Sequence, residues 1–323
     1  MQCQWEVTDN TPALRGNETK PNVQTGQGTT ANKPVMVSYL TEQTSHHPPV
    51  SAFYVDCPDK GISARGFDQL SAKFTGTNVK VTPGNFNQGI FVTLHRWADE
   101  TYQMTHPAAY LGGFLRGSLY VSVADACSIS CAKTGIKTIL HYPEEGWLGK
   151  SQNKVEGVVY KCDAEKDNTT RIKDVNEKDV LGRVEGCWQD KVWFSHGSQQ
   201  FSKVPEKDRL LLIDVTPLYP TPKLVPTQEY QLPNESQRFW HSVTDAIRAK
   251  QFQKATQLKT ELEERQREKA KERQARGVEW RPRFFTGATT PEGRPELSEE
   301  GRRALRGLHA GDYRLEESRE TGA

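Results

Sequence analysis

The chain has 323 residues and a formal charge of +2, from 43 basic and 41 acidic side chains, which excludes a general nucleic-acid binder built on a basic excess. Hydrophobic residues are 35% of it and mean hydropathy is −0.75, so part of the chain is expected to be solvated helix or tail. Its length suits one large domain or two ordinary ones, and no run approaches ~18 consecutive apolar residues, so no membrane-spanning helix is expected.

Met1 to Val7 carries neither a basic leader nor an apolar run, so it is not read as a signal peptide. A first strand is predicted near Cys3 to Val7, followed by a long polar loop over 8–33, rich in Thr, Asn, Gly and Gln. From 35 to about 215 the pattern is short β-rich runs separated by turns. The predicted strands are 35–41, 50–56, 61–67, 71–75, 78–82, 90–95, 101–105, 117–123, 127–132, 136–142, 154–160, 182–188, 191–195 and 210–214. Asp59-Lys60-Gly61 and Gly76-Thr77-Asn78 are predicted hairpin turns. So many strands without intervening helices predict a sandwich or a barrel.

The six cysteines at 3, 57, 127, 131, 162 and 187 show no Cys-x-x-Cys pair or zinc spacing. They are expected to be reduced thiols in a cytosolic protein, with no metal or cofactor. Cys162 to Lys178 is charged and predicted to be a surface excursion. Pro217 to Pro233, with five prolines, reads as an extended connector whose Leu218, Tyr219, Leu224 and Tyr230 are candidates for burial.

Asn234 is a predicted helix N-cap, with Gln237 completing a capping box. Phe239, Trp240, Val243, Ile247 and Phe252 form the predicted apolar face. No proline or glycine follows until Gly277, so the helix either continues or breaks near Gln251. Val278 to Phe285 reads as an aromatic strap on the core. The packed domain is assigned to 1–285, and 286–323 to a partly disordered C-terminal tail.

Two stretches carry candidate chemistry. In Glu42-Gln-Thr-Ser-His-His-Pro-Pro49 a strand is interrupted by two prolines that cannot donate to a ladder. His46 and His47 there offer ring donors that suit a phosphate. Taken alone, the pair reads as an unliganded β-turn. In the predicted late helix, Lys259, Glu263 and Arg267 lie four apart and share one face. The two cations can grip phosphate oxygens and the carboxylate can orient them. Taken alone, that spacing is a salt-bridged solvated face.

The octapeptide resembles the Glu-Gln-x-Ser-His-His-Pro-Pro pattern of the oxysterol-binding-protein-related family at every fixed position. Lys259-x3-Glu263-x3-Arg267, in the context Glu263-Glu264-Arg265-Gln266-Arg267, is similar to that family's late helix, and Glu235-Ser236, Trp240, Trp280 and Phe284-Phe285 resemble its flanks. The resemblance covers about 2–285. It implies a mainly β fold with C-terminal helices, an incomplete antiparallel β-barrel enclosing a hydrophobic lipid tunnel. It also implies that His46, His47, Lys259, Glu263 and Arg267 bind the headgroup of phosphatidylinositol 4-phosphate.

The second lipid implied is phosphatidylserine or a sterol. Ile129 to Gly135 and the Gln-Cys-Gln-Trp5 start look most like the fungal phosphatidylserine-exchanging subgroup. The implied protein is a non-enzymatic monomer without cofactor. It works at transient membrane surfaces, peripheral at endoplasmic reticulum and plasma-membrane contacts. Two departures follow from the same resemblance. The family's lid and Asn-Pro-x-x-Gly-Glu segment, expected before Cys3, are absent, which reads as an N-terminally incomplete domain. Gln4 stands where the family often has a phosphate-binding lysine. The rival readings are a lipid sensor without net transport and a phosphate-ester hydrolase using the histidine pair. Adjacent strand residues point to opposite faces, which makes joint metal ligation by that pair awkward.

Overall fold

The structure, a computed structural model, describes residues 1–8, 34–114, 117–143, 153–164 and 166–315. Nearly all of the loop predicted at 8–33 therefore lies outside the described residues.

The strands are β1 (Gln2–Val7), β2 (Val35–Ser45), β3 (Val50–Cys57), β4 (Ile62–Asp68), β5 (Leu70–Phe74), β6 (Val79–Pro83), β7 (Ile90–Leu94), β8 (Glu100–Met104), β9 (Ala108–Gly112), β10 (Tyr120–Cys131), β11 (Ile136–Tyr142), β12 (Lys154–Lys161), β13 (Val180–Cys187), β14 (Lys191–His196) and β15 (Leu210–Asp214). All belong to one antiparallel sheet, whose main path runs β1-β2-β3-β4-β7-β8-β10-β11-β12-β13-β14-β15. The path does not close, as the incomplete barrel requires. A side branch of β5, β6 and β9 joins the first half of β10. The two predicted hairpin turns hold. Gly61 N–H donates to the Pro58 carbonyl at 3.0 Å, and Thr75 N–H to the Asn78 carbonyl at 2.8 Å.

Three strand predictions change. β2, predicted to end at 41, runs on to Ser45, because Glu42, Gln43 and Ser45 still pair with β3. β10 is one strand where a break was expected at 124–126. Asp125 sits there at φ 68°, where β10 changes partner from β9 to β11, and its carboxylate meets Lys80 at 2.7 Å. The irregularity is a kink rather than a turn. β9 was not predicted, because Ala-Ala-Tyr-Leu-Gly has little β-propensity of its own; β6 on one side and β10 on the other supply its partners.

The helices are α1 (Ser236–Phe239), α2 (His241–Arg248), α3 (Phe252–Ala275) and α4 (Glu299–His309). The predicted capping box is not used. Glu235 is the N-cap residue of α1, without a side-chain cap, and its carboxylate accepts from Leu232 N–H at 2.9 Å instead. The predicted apolar face is also largely unburied. Val243 is buried, helped by Ala246, but Trp240, Ile247 and Phe252 stay exposed. The break near Gln251 is real. In the connector, Leu218, Tyr219, Leu224 and Tyr230 remain exposed rather than buried.

The main core replaces the expected tail over 286–315, while 316–323 lie outside the described residues. Leu40, Val50, Ala52 and Phe67 of β2–β4 pack against Phe284, Phe285, Leu297, Ala304, Leu305 and Leu308. Tyr313 and Leu315 extend that cluster. Ser298 caps α4 by accepting from Gly301 N–H at 3.0 Å, and its hydroxyl donates to the Arg283 carbonyl at 2.6 Å. The helix crosses the strap so closely that a Cβ at Gly301 would lie 2.1 Å from the Phe284 carbonyl oxygen. The boundary at 285 therefore cuts through a core that runs on to residue 315. Its weak apolar content hid this, because three leucines suffice when all face one way.

A second cluster joins Ile139, Val158 and Tyr160 to Ile172 and Val175 of the charged excursion. Asp167 anchors that segment, 2.6 Å from Lys137 Nζ and 3.0 Å from the Tyr160 hydroxyl. Burial pushes the Asp167 carboxyl up, but hydrogen bonds from Lys137, Thr169 and Tyr160 outweigh it and hold it below the usual value. A depressed folded value means stability that is present above the ordinary carboxylate range and lost as pH falls through the folded value. Tyr160→Phe is expected to cost ~1–2 kcal/mol at neutral pH and to move acid unfolding to higher pH. Denaturant melts at neutral and acid pH check both effects.

Candidate functional site

The double histidine sits where β2 gives way to β3. The ladder pairs Gln43 with Ser51 and then Ser45 with Val50, so Thr44 is an extra residue in a bulge. His46 to Pro49 form the turn beyond it, closed by a cis His47–Pro48 peptide. Both imidazoles are exposed, with ring centroids 4.3 Å apart.

The front of the same motif does different work. Glu42 turns to the face that carries the main core. There its carboxylate accepts from the backbone N–H of Arg283 at 2.7 Å and of Phe284 at 2.8 Å. Burial pushes the Glu42 carboxyl up, and those two donors oppose the shift. The Thr44 side chain, also buried, donates to the Ala288 carbonyl at 2.7 Å. The motif thus fastens the strap with its first residues and presents imidazoles with its last. Sequence reasoning missed this role. The available signal was a carboxylate in the middle of a β-rich run, which needs donors if it is buried.

Lys259, Glu263 and Arg267 lie on one exposed face of α3. Lys259 Nζ is 2.5 Å and an Arg267 guanidinium nitrogen 3.5 Å from the two oxygens of Glu263. The Glu263 carboxyl is held below its usual value, first by the hydrogen bond and charge of Lys259, then by the charges of Arg267 and His46. Among the described residues that last and smallest contribution is what links the histidine turn to α3, although the two are far apart in the chain. The arrangement can exchange its internal ion pairs for the oxygens of a polyanion. The α3 face then offers two permanent cations and one carboxylate able to accept from a ligand hydroxyl.

Gln4 is not part of this group. It is buried, and its Nε2 donates to Ser38 Oγ and to the Leu308 carbonyl, each at 2.9 Å. Its Oε1 accepts from the Tyr313 hydroxyl at 2.6 Å. The next residue, Trp5, faces the other way and meets Tyr39 edge-on at 5.9 Å; Tyr39 in turn stacks on Phe53 at 6.3 Å. The uncharged side chain is thus a filled joint to α4. A lysine there would bury a cation among groups already paired.

Apolar surface is plentiful. The registers of β5, β6, β9 and β10 align Leu70, Ala72, Phe74, Val79, Val81, Leu111, Val121 and Val123 on one face of the branch. Leu70, Phe74 and Val121 are 65%, 64% and 69% exposed, which is more than a soluble sheet needs. Among the described residues no helix is long and apolar enough to cross a membrane.

Comparison with known proteins agrees with this picture. The sequence model of the oxysterol-binding protein family matches residues 28–303. The chain is 41% identical over 277 residues to oxysterol-binding protein-like protein 1 of Schizosaccharomyces pombe, covering 86% of this chain and 52% of that protein. It is 30% identical over 249 residues to human oxysterol-binding protein-related protein 11, covering 77% of this chain and 30% of that one. It therefore spans about half the length of the fission-yeast relative. Among solved structures, the Osh1 ORD domain in complex with ergosterol superposes with a TM-score of 0.62 at 20% identity, over 84% of this chain and 66% of that one. The Osh3 ORD of Saccharomyces cerevisiae in complex with PI(4)P gives 0.55 at 14% identity, over 86% and 68%. With an open antiparallel sheet, the double-histidine turn, and a family match across most of its length, the chain belongs to the oxysterol-binding protein family.

Proposed function

We propose that the chain binds membrane lipids and carries them between membranes, exchanging phosphatidylserine or a sterol against phosphatidylinositol 4-phosphate. The carrying observation is the exposed α3 face where Lys259 and Arg267 flank Glu263 at 2.5 and 3.5 Å, with the exposed imidazole pair of the turn as the second set of donors. The complexes of Osh3 with PI(4)P and of Osh1 with ergosterol lend support from neighbours of the same fold. The exposed apolar faces suit acyl or sterol surface, whose burial contributes ~25 cal/mol per Å². In this reading no bond is broken, and the protein is a monomer working at endoplasmic reticulum and plasma-membrane contacts.

The test is lipid extraction from mixed vesicles, followed by mass spectrometry of what remains bound. Recovery of a phosphoinositide with a second lipid supports the reading; recovery of neither overturns it. Movement of the bound lipid from donor to acceptor vesicles separates a carrier from a sensor. Within the site, Arg267→Ala is expected to weaken phosphoinositide binding roughly tenfold or more. Arg265→Ala, two residues away on another face of α3, should leave it within about twofold. Equal losses in the two variants would reduce the array to a general charge effect.

A further inference from the structure

We infer that the turn joining α2 to α3 is a docking tip for anionic lipid surfaces, separate from the residues that hold the headgroup. The inference rests on the lipid-carrier reading and adds where the membrane is met.

The helical pair has its own small core, with Val243, Ala246 and Ala255 buried and Leu258 and Leu262 beside them. That core leaves out the two largest apolar side chains at the turn. Ile247, at the end of α2, is 51% exposed, and Phe252, at the start of α3, is 64% exposed. The turn between them is well formed. Gln251 N–H donates to the Ala246 carbonyl at 2.8 Å and Lys250 N–H to the Ile247 carbonyl at 2.9 Å. This pair of bonds sets Lys250 at φ 59°. Glycine is the unstrained residue in that position, and a lysine there accepts strain. A well-bonded turn that keeps a strained cation between two uncovered apolar side chains has a surface role, because neither feature helps the hairpin fold.

The charge around the tip selects the partner. Arg248, Lys250 and Lys254 surround it, and the nearest acid, Asp245, is 3.2 Å from His241 within α2. Exposed apolar side chains ringed by cations match the boundary of an anionic bilayer, with the apolar pair seated among the headgroups and the cations on lipid charges. Trp97 is more exposed still, but Asp59, Asp99 and Glu100 balance Lys60 and Arg96 around it, so that turn lacks the charge to prefer anionic lipid. Phe252 and Glu263 stand on the same helix, about 16 Å apart along its axis. Docking by the tip would therefore bring the headgroup-binding face close to the bilayer on one rigid element.

The experiment is co-sedimentation of the full chain with phosphatidylcholine vesicles, with and without phosphatidylserine. Binding of a water-soluble short-chain phosphatidylinositol 4-phosphate is measured in parallel. The wild type should attach to the anionic vesicles and hardly to the neutral ones. Ile247→Ser with Phe252→Ser should weaken attachment about tenfold or more while leaving short-chain lipid binding unchanged. Lys250→Gly should raise the melting temperature by relieving the turn, yet weaken attachment to anionic vesicles about fivefold. A Lys250→Gly protein that melts higher and attaches as well as wild type would overturn the assignment, as would equal attachment to neutral vesicles. Loss of a solution dimer in the double variant, with attachment retained, would give the patch to a second copy of the chain and likewise overturn it. Failure of the wild type to bind the short-chain lipid would count against the carrier reading. Failure to attach while that binding persists counts against the tip alone.

Discussion

His46→Ala combined with His47→Ala is expected to weaken phosphatidylinositol 4-phosphate binding by two orders of magnitude or more, with the fold intact. Charge-assisted hydrogen bonds contribute ~1.5–3 kcal/mol each, and two are lost together. The fold should survive because both rings are exposed and no backbone group of the sheet depends on them. The residues of the motif that the core does need are Glu42 and Thr44, which remain. Extraction of the labelled lipid from vesicles reads the first effect, and a thermal melt reads the second. An unchanged extraction by a protein with an unchanged melt would remove the histidines from the site.

Leu308→Ala is expected to cost ~2–5 kcal/mol, because it empties a wholly buried side chain at the centre of the main core. For a chain of this size that corresponds to a fall of roughly 3–7 °C in melting temperature. Leu308→Met, which nearly conserves volume, should cost less than ~1.5 kcal/mol. A loose tail would show no difference between the two. Similar, small effects of both substitutions would therefore restore the domain boundary at 285. Binding of a short-chain phosphoinositide at low temperature should be little changed in either variant, since α4 does not supply a headgroup contact.

The sequence was most legible where structure is made locally. Apart from β2, which runs four residues past its predicted end, the strands from Val35 to Leu94 lie within a residue or two of their predicted bounds, because alternation and turn chemistry act between near neighbours. It was least legible where a residue is defined by a distant partner. Ala108 to Gly112 is a strand only because β6 and β10 flank it, and Leu308 is core only because β2 to β4 offer it a floor. Glu42 was read as part of a phosphate motif, yet its side chain serves the strap. For the candidate site, the four-residue spacing gave the shared face of Lys259, Glu263 and Arg267. Nothing local pairs that face with His46; only the family resemblance carries that expectation, and the proposal of a joint site rests on it.

The joint between Gln4 and α4 has a consequence for how the chain is made. Beside Ser38 on the neighbouring strand, the Gln4 side chain takes its partners from Leu308 and Tyr313, and the first of these two contacts spans 304 positions. At ribosomal rates of about 5–20 residues per second, β1 waits roughly 15–60 s after its own synthesis for that partner to emerge. Throughout that interval the leading strand can pair with β2 but cannot bury its outer side, and the sheet keeps an unfinished margin. A nascent chain in this state is open to strangers, and its sealing waits for α4 to emerge rather than for the sheet to be complete. The last helix, short and weakly apolar, thereby decides when this protein stops being a risk to its neighbours in the cell.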